Sequence, residues 1–158
     1  MYTHTPENNK KIGLATVAIC FMSTMLLFMP SKLDPSISTL LRCLGLWLFL
    51  CGFLVLERYV LTVFTYTVKD CPECVELVIT ETRLKKQKTV CRVTSDNFVS
   101  LTEKGKAKRQ KGTKRYNYCP ELCGSKRHIL CVEDGDGRSD IIFRPDSKII
   151  EIIDSFIV

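Results

Sequence analysis

Two closely spaced cysteine pairs are the residues of this chain best suited to specific chemistry. Cys71 and Cys74 form a CxxC pair, Cys119 and Cys123 form a CxxxC pair, and Pro-Glu follows the first cysteine of each. Four thiolates supplied by two turns are the ligand set of a tetrahedral zinc site. The spacing therefore predicts zinc as the one candidate cofactor, although the two pairs are farther apart than in most compact zinc ribbons.

Two other interpretations of the cysteines stay open. In a reducing compartment the thiols can be unrelated and unpaired. A redox pair at Cys71 and Cys74 is less favoured, because a thioredoxin-like motif opens a helix in a βαβ unit and this one lies between predicted strands. Cys91 and Cys131 are single cysteines within predicted strands, so we expect them in the core.

Residues 104–115 carry the densest charge of the chain, with seven bases in twelve residues. Such a segment cannot bury a core face, so the pattern predicts a mobile, solvated loop. It is also the candidate binding site for anionic lipid or an unidentified protein partner. Nucleic acid is the least favoured partner, because stacking sites need exposed aromatic residues among the bases. The seven candidate residues are Lys104, Lys106, Lys108, Arg109, Lys111, Lys114 and Arg115.

The sequence predicts no enzymatic activity and no catalytic residue. It contains no GxSxG, phosphate-binding glycine loop or HExxH motif. Residues 134–140 faintly resemble a calcium loop, but an EF-hand starting at Asp134 needs Gly and Glu where Ser139 and Pro145 stand. We therefore predict a hairpin turn at 134–137.

Two apolar stretches near the N-terminus set the organisation of the chain. Residues 12–29 hold no charge, and a second stretch covers residues 36–56 with Arg42 as its only charge. About 20 residues of helix cross a bilayer. The pattern predicts a tail over 1–11 and a two-helix transmembrane hairpin over 12–58. A cleaved signal peptide is less favoured, because the first stretch is long and no small-x-small site follows it.

Side chains within and around the hairpin predict its packing and orientation. Gly45 and Gly52 allow close helix approach, and we expect Trp47 to pack against the first helix. Lys10, Lys11 and Arg58 flank the spans, whereas the connecting loop is sparsely charged. By the positive-inside rule both termini are cytoplasmic, which predicts a multi-pass protein of the inner membrane.

Residues 59–158 are predicted to form a mainly β domain of about seven antiparallel strands. The strands are short runs rich in β-branched and aromatic residues, separated by turn clusters. At the end of the chain the period changes to that of a helix near 146–157, with Ile149, Ile150, Ile153 and Phe156 on one face. The predicted strands cover residues 59–68, 75–82, 89–93, 98–101, 115–119, 127–133 and 139–144.

This order of elements resembles the pleckstrin-homology-like (PH-like) fold, and in particular the small PH-like domains attached to bacterial membrane hairpins. The residues that carry the resemblance are the strand 59–68 after the second span and the closing stretch 140–153. The resemblance lies in element order and rests on no diagnostic motif. It implies a fold rather than an activity, because such domains mostly have no assigned activity.

Two functional hypotheses follow from the sequence. The first is a non-enzymatic, membrane-anchored interaction protein that presents a PH-like domain at the cytoplasmic leaflet to a protein partner or anionic lipid. The second is a membrane-tethered zinc-binding or redox-sensing module that uses the four cysteines of the two pairs. Zinc content of the purified protein separates the two, because only the second requires about one zinc per chain.

Overall fold

The computed structural model divides the chain into a helical unit, Asn8–Thr62, and a β unit that combines Met1–Glu7 with Val63–Val158. It describes residues 1–6, 10–28, 34–70, 74–103, 105, 112–120, 127–135 and 137–157, with the backbone alone at 10–12 and 70. Every structural statement below concerns these residues.

The helical unit consists of α1, Lys10–Leu27, and α2, Pro35–Tyr59. Proline at the first helical position suits the start of α2, since its missing N–H needs no partner there. Helix α2 ends at Tyr59, and the amide of Val60 donates to the carbonyl oxygen of Leu56. Its 25 residues span about 37 Å at 1.5 Å per residue. Among the described residues, α2 alone is long and apolar enough to cross a membrane, and the apolar part of α1 is the shorter Gly13–Leu27.

Glycines let α1 and α2 pack closely. A Cβ atom built on Gly45 lies 3.0 Å from both Leu26 Cβ and the carbonyl oxygen of Ser23, and one on Gly52 lies 3.0 Å from Cys20 Sγ. The prediction of close approach at these two glycines is confirmed. The predicted packing of Trp47 against α1 is wrong, because its side chain is 72% exposed.

The β unit contains two four-stranded sheets. The first has the order β1-β2-β3-β4, and the second has the order β5-β7-β8-β6. The pairs β1–β2, β3–β4, β5–β7 and β7–β8 are antiparallel, whereas β6 runs parallel to β8. The strands are β1 (Tyr2–His4), β2 (Thr62–Asp70), β3 (Val75–Arg83), β4 (Lys86–Thr94), β5 (Phe98–Glu103), β6 (Lys114–Asn117), β7 (His128–Asp134) and β8 (Gly137–Phe143).

One hydrophobic core joins the two sheets and the C-terminal helix α3, Ser147–Asp154. Alternate residues of β3 point into it, as the pattern of Val75, Leu77 and Ile79 predicts, and these three side chains are at most 2% exposed. Helix α3 adds two fully buried isoleucines, Ile149 and Ile153. The predicted C-terminal helix and its apolar contact with the sheets are therefore confirmed.

Several element boundaries differ from the sequence prediction. The predicted strand 59–68 starts too early, because Tyr59 still belongs to α2 and the strand begins at Thr62. The sequence predicts a hairpin turn at residues 84–88 between β3 and β4, but the observed turn contains only Leu84 and Lys85, both with positive φ. The expectation that all strands are antiparallel is wrong for β6.

The N-terminal tail contributes a strand that the sequence analysis did not find. Residues Tyr2, Thr3 and His4 pair with Val68, Thr67 and Tyr66 of β2. Three residues are too few to show a strand period. The pairing places the first residues of the chain in the β unit, before the helical hairpin begins.

Candidate functional site

The candidate lipid-binding residues divide between described and undescribed parts of the chain. Lys104, Lys106, Lys108, Arg109 and Lys111 lie outside the described residues. Lys114 and Arg115 are exposed and belong to β6. The last two residues of the predicted loop are thus strand residues, which gives their side chains defined directions.

Arg115 is engaged in an ion pair. Its Nε lies 3.0 Å from Asp140 Oδ2, and the two residues are register partners on the parallel strands β6 and β8. The Asp140 side chain is 12% exposed and that of Arg115 is 32% exposed. Part of the positive charge of Arg115 is therefore balanced within the β unit, whereas none of the ion pairs found among the described residues includes Lys114.

A polar cleft of about 280 Å³ lies beside β6. Arg138 is one of its lining residues, and Arg138 Nε donates to Cys131 Sγ over 2.8 Å. The hydrogen bond to Cys131 raises the pKa of Arg138 above its usual value, so this side chain stays charged. Sequence reasoning did not connect Arg138 with the basic segment, because 23 residues separate it from Arg115 and only strand pairing brings the two regions together. The cleft is lined by Gly112, Lys114, Tyr116, Asp134, Gly137, Arg138 and Ser139.

The cysteine site stays a prediction. Cys71 and Cys123 lie outside the described residues, Cys74 is half-buried and Cys119 is buried. Within the described part of the chain, no group of three or more His, Cys, Asp or Glu side chains is arranged to hold a metal ion. Burial raises the pKa of Cys91 to about 11, so this thiol stays protonated at neutral pH and is a poor nucleophile.

Both histidines of the chain border a second cleft, of about 440 Å³, in the β unit. His4 comes from β1, His128 from β7, and Asp146 precedes α3. The Nδ1 atom of His128 is buried and has no hydrogen-bond partner in the described structure. Sequence reasoning missed this grouping because it assigned His4 to an N-terminal tail and predicted no strand there.

Asp146 links β1 to α3. Its Oδ1 accepts a hydrogen bond from the Ile149 amide over 3.0 Å and caps the helix. Its Oδ2 accepts a hydrogen bond from the Tyr2 hydroxyl and lies 3.7 Å from His4 Nδ1. Burial acts to raise the pKa of Asp146, but the hydrogen bonds from Tyr2 and Ile149 and the nearby His4 outweigh it, so the pKa is lowered.

The lowered pKa predicts an acid-sensitive contribution to stability. A carboxyl whose pKa is lower in the folded protein stabilises it above the unfolded pKa, about 3.9 for Asp, and this contribution is lost as pH falls through the folded pKa. We expect wild type to exceed Asp146→Asn in stability by about 1 kcal/mol or less at neutral pH, as for other partly exposed charged groups. Asn still caps a helix, so the difference reports the charge.

Urea unfolding of both proteins between pH 7 and pH 3, followed by tyrosine near-UV circular dichroism, measures this difference. It should not shrink between pH 7 and about pH 5, and it should be lost progressively below about pH 4. A difference that grows between pH 4 and pH 3 contradicts the assigned direction of the pKa shift.

Comparison with known proteins assigns this chain to no family. The chain matches no protein-family model, and no curated protein is similar enough to it to count as a match.

Proposed function

We propose that this chain is a non-enzymatic membrane protein whose helical hairpin lies in the bilayer and whose β unit presents a basic surface to anionic lipid headgroups. A protein partner at the same surface is the alternative occupant. The observation that carries the proposal is the exposure of large apolar side chains along α2, an apolar helix of 25 residues.

The exposed apolar surface of the helical unit needs a covering. On α2, Leu40 is 71% exposed, Trp47 72% and Leu54 63%, and on α1 Leu14 is 75% exposed and Phe21 62%. Exposed apolar surface costs about 25 cal/mol per Å² in water, and contiguous patches of this kind mark contact with a membrane or another protein. Lipid tails supply that covering without a further protein.

The order of strands and helices along the chain supports two crossings of the membrane rather than one. Strand β1 precedes α1 and strand β2 follows α2, and the two strands pair in one sheet. A single crossing by α2 would place β1 and β2 on opposite sides of the membrane. The segment that contains α1 must then cross as well, and the uncharged run of residues 12–29 has 18 residues, at the short end of the range of about 17–25 that spans a bilayer.

The orientation rests on the charged residues beside the spans. Lys10, Lys11 and Arg58 lie at the ends of the helices nearest to the β unit in the chain. Basic residues near span ends stay cytoplasmic. The β unit then lies at the inner leaflet, where each base near an anionic surface contributes about 1 kcal/mol to binding.

The PH-like resemblance stays part of this proposal. Two sheets that share one core with a C-terminal helix support it. The parallel pairing of β6 with β8 departs from an antiparallel meander. The proposed function depends on the exposed helices and the basic surface, and it does not require the family assignment.

Cysteine labelling in intact cells tests the location and topology. Single cysteines replace Ser36, in α2 near the connecting loop, or Ser147, in α3, in a chain without its nine native cysteines. Both serines are exposed. We expect an impermeant thiol reagent to label position 36 in intact cells and to label position 147 only after the cells are opened.

Two results contradict the proposal in different ways. Labelling of position 147 but not position 36 in intact cells reverses the topology. Recovery of the full-length chain in the soluble fraction, with both positions labelled only after lysis, overturns the membrane location itself. The two cysteine variants are matched controls, because each serves as the accessible site in one of the two topologies.

A further inference from the structure

We propose that the tip of the β3–β4 hairpin contacts the membrane: Leu84 enters the boundary between headgroups and acyl chains, and the bases around it bind anionic headgroups. The inference rests on the proposed function, because the leaflet beside which the β unit is held supplies both the acyl chains and the anions. It deepens that function by naming a structured element, separate from residues 104–115, that makes the contact.

Leu84 exposes more apolar surface than the fold of the β unit requires. Its side chain is 70% exposed, and apart from the terminal Met1 no large apolar side chain of the described β unit is more exposed. Single exposed leucines are common on protein surfaces, so exposure alone does not identify a binding site. The backbone conformation of Leu84 and the charges beside it distinguish this residue.

The backbone at the hairpin tip has a conformation that leucine does not favour. The loop holds only Leu84 and Lys85, with φ angles of 55° and 111°, as in a type I′ turn. Asparagine and glycine are the usual residues of such a turn, because a bulky side chain is strained at positive φ. The turn itself therefore does not account for a leucine at this position, whereas contact with lipid does.

The charges around Leu84 favour an anionic surface. Residues 83–88 contain four bases and no acid, and all six are exposed. Glu81 is the register partner of Lys88, and with this acid included the net charge over residues 81–88 is still +3. An apolar side chain ringed by bases matches a leaflet, where acyl chains lie below anionic headgroups. The four bases are Arg83, Lys85, Lys86 and Lys88.

The topology of the first sheet places this tip at the end that is tethered to the helical unit. Strands β2 and β3 are neighbours, and only four residues connect them. A parallel crossover needs a dozen or more residues, so the two strands are antiparallel. The end of β3 then lies at the same end of the sheet as the start of β2. Since only two residues separate α2 from β2, the tip belongs to the end of the sheet that the proposed span anchors.

A tryptophan reporter in the full-length chain measures whether the tip enters the bilayer. Trp47, the only tryptophan, is replaced by Phe, and the reporter is Leu84→Trp. Asp96→Trp is the matched control, because Asp96 is also exposed and follows the far end of β4, about 30 Å along the strand from the tip. In nanodiscs of phosphatidylglycerol and brominated phosphatidylcholine, we expect quenching of the Leu84→Trp reporter and none of the Asp96→Trp reporter.

Removal of one base tests the role of the charges. In the Leu84→Trp reporter, Lys86→Gln should lower the ratio of inserted to free tip about fivefold. Lys69→Gln removes the same charge near the opposite end of the sheet, on β2, and should leave the quenching unchanged. Quenching should also weaken with added salt and in discs of brominated phosphatidylcholine alone.

Leu84→Asn tests the leucine itself in a chain that keeps Trp47. Asparagine tolerates positive φ better than leucine, so in neutral nanodiscs the thermal midpoint of the tyrosine near-UV circular dichroism should be equal or higher in this variant. Contact made only by the folded protein raises its apparent stability. Phosphatidylglycerol should therefore raise the midpoint of wild type by roughly 5 °C more than that of Leu84→Asn. A leucine with only a structural role would give a difference that does not depend on the lipid.

The outcomes distinguish failure of the tip from failure of the proposed function. Absence of quenching in the Leu84→Trp reporter, or equal quenching in both reporters, overturns the tip as the contact and leaves the helical hairpin in the bilayer. Equal effects of Lys86→Gln and Lys69→Gln overturn the role of the bases, and a midpoint difference independent of lipid overturns the insertion of Leu84. A full-length chain that stays soluble without detergent and does not enter nanodiscs overturns the membrane location and the tip together.

Discussion

Replacement of Ile153 by aspartate is expected to destabilise the β unit by about 4 kcal/mol or more. Ile153 is 0% exposed and belongs to the core that joins both sheets to α3. The substitution removes a buried apolar side chain and places an unpaired carboxylate among apolar neighbours, so the cavity cost adds to the desolvation cost. A typical domain is stable by only about 5–15 kcal/mol, so this loss is a large fraction of the total stability of the β unit.

Phe156→Asp is the matched control. Phe156 follows α3 by two residues and is 42% exposed, so the same acidic side chain there stays hydrated and should cost about 1 kcal/mol or less. Near-UV circular dichroism of the tyrosines in the full-length protein, followed during urea unfolding, measures the β unit. Equal stability of Ile153→Asp and wild type would show that the α3 stripe is not part of the core.

The comparison of Ile153 with Phe156 also shows what periodicity can predict. Helical spacing correctly identifies Ile149 and Ile153 as core residues, because both lie on the side of α3 that faces the sheets. The same spacing includes Phe156 in the stripe, but α3 ends at Asp154. A side chain beyond the helix end no longer follows the helical period. The pattern gives the face of an element more reliably than its end.

Features that depend on long-range pairing were not predictable from local sequence. Strand β1 exists because Tyr2–His4 meets β2 more than fifty residues later, and no local period marks it. Tyr66 is another case, since its fully buried hydroxyl donates to the carbonyl oxygen of Tyr118 and accepts from the amide of Arg144. The β-rich pattern around Tyr66 predicts a strand, but only the fold supplies those partners.

In the candidate site, too, local sequence predicts some features and only strand pairing determines the others. Charge density alone identifies Lys114 and Arg115 as candidate binding residues, and it treats the two as equivalent. The pairing of β6 with β8 makes them different, because it places Asp140 against Arg115 and Ser139 beside Lys114. Asp134 and Arg138 line the cleft from the β7–β8 hairpin, which the sequence predicts only as a turn.

The second large effect is expected for Gly45→Ala, which should destabilise the packing of the helical hairpin. A Cβ atom at this position lies 3.0 Å from Leu26 Cβ and 3.0 Å from a backbone oxygen of α1, and the backbone oxygen cannot rotate away. Gly45→Ala should therefore separate α1 from α2 locally and destabilise their packing by about 1–3 kcal/mol, as other overpacked contacts do. Membrane helices rely on close packing of small residues, so the clash should outweigh the roughly 1 kcal/mol by which alanine is favoured over glycine in a helix.

Gly13→Ala is the control that isolates this clash. It makes the same chemical change within α1, but a Cβ atom there lies 3.7 Å from Val60 Cγ2, an ordinary contact distance. Alanine is also favoured over glycine in a helix by about 1 kcal/mol, so Gly13→Ala should be neutral or stabilising. The two identical substitutions are thus expected to change the stability of the hairpin in opposite directions.

The single tryptophan of the chain, Trp47, lies on α2 and allows the hairpin to be followed separately from the β unit. Titration of the detergent-solubilised protein with sodium dodecyl sulfate should shift the Trp47 fluorescence transition to lower concentration in Gly45→Ala and leave it unchanged or higher in Gly13→Ala. The tyrosine signal of the β unit should be unaffected by both. If Gly45→Ala is as stable as Gly13→Ala, the two helices do not pack through Gly45, and the hairpin must be held together by the connecting chain and the surrounding lipid.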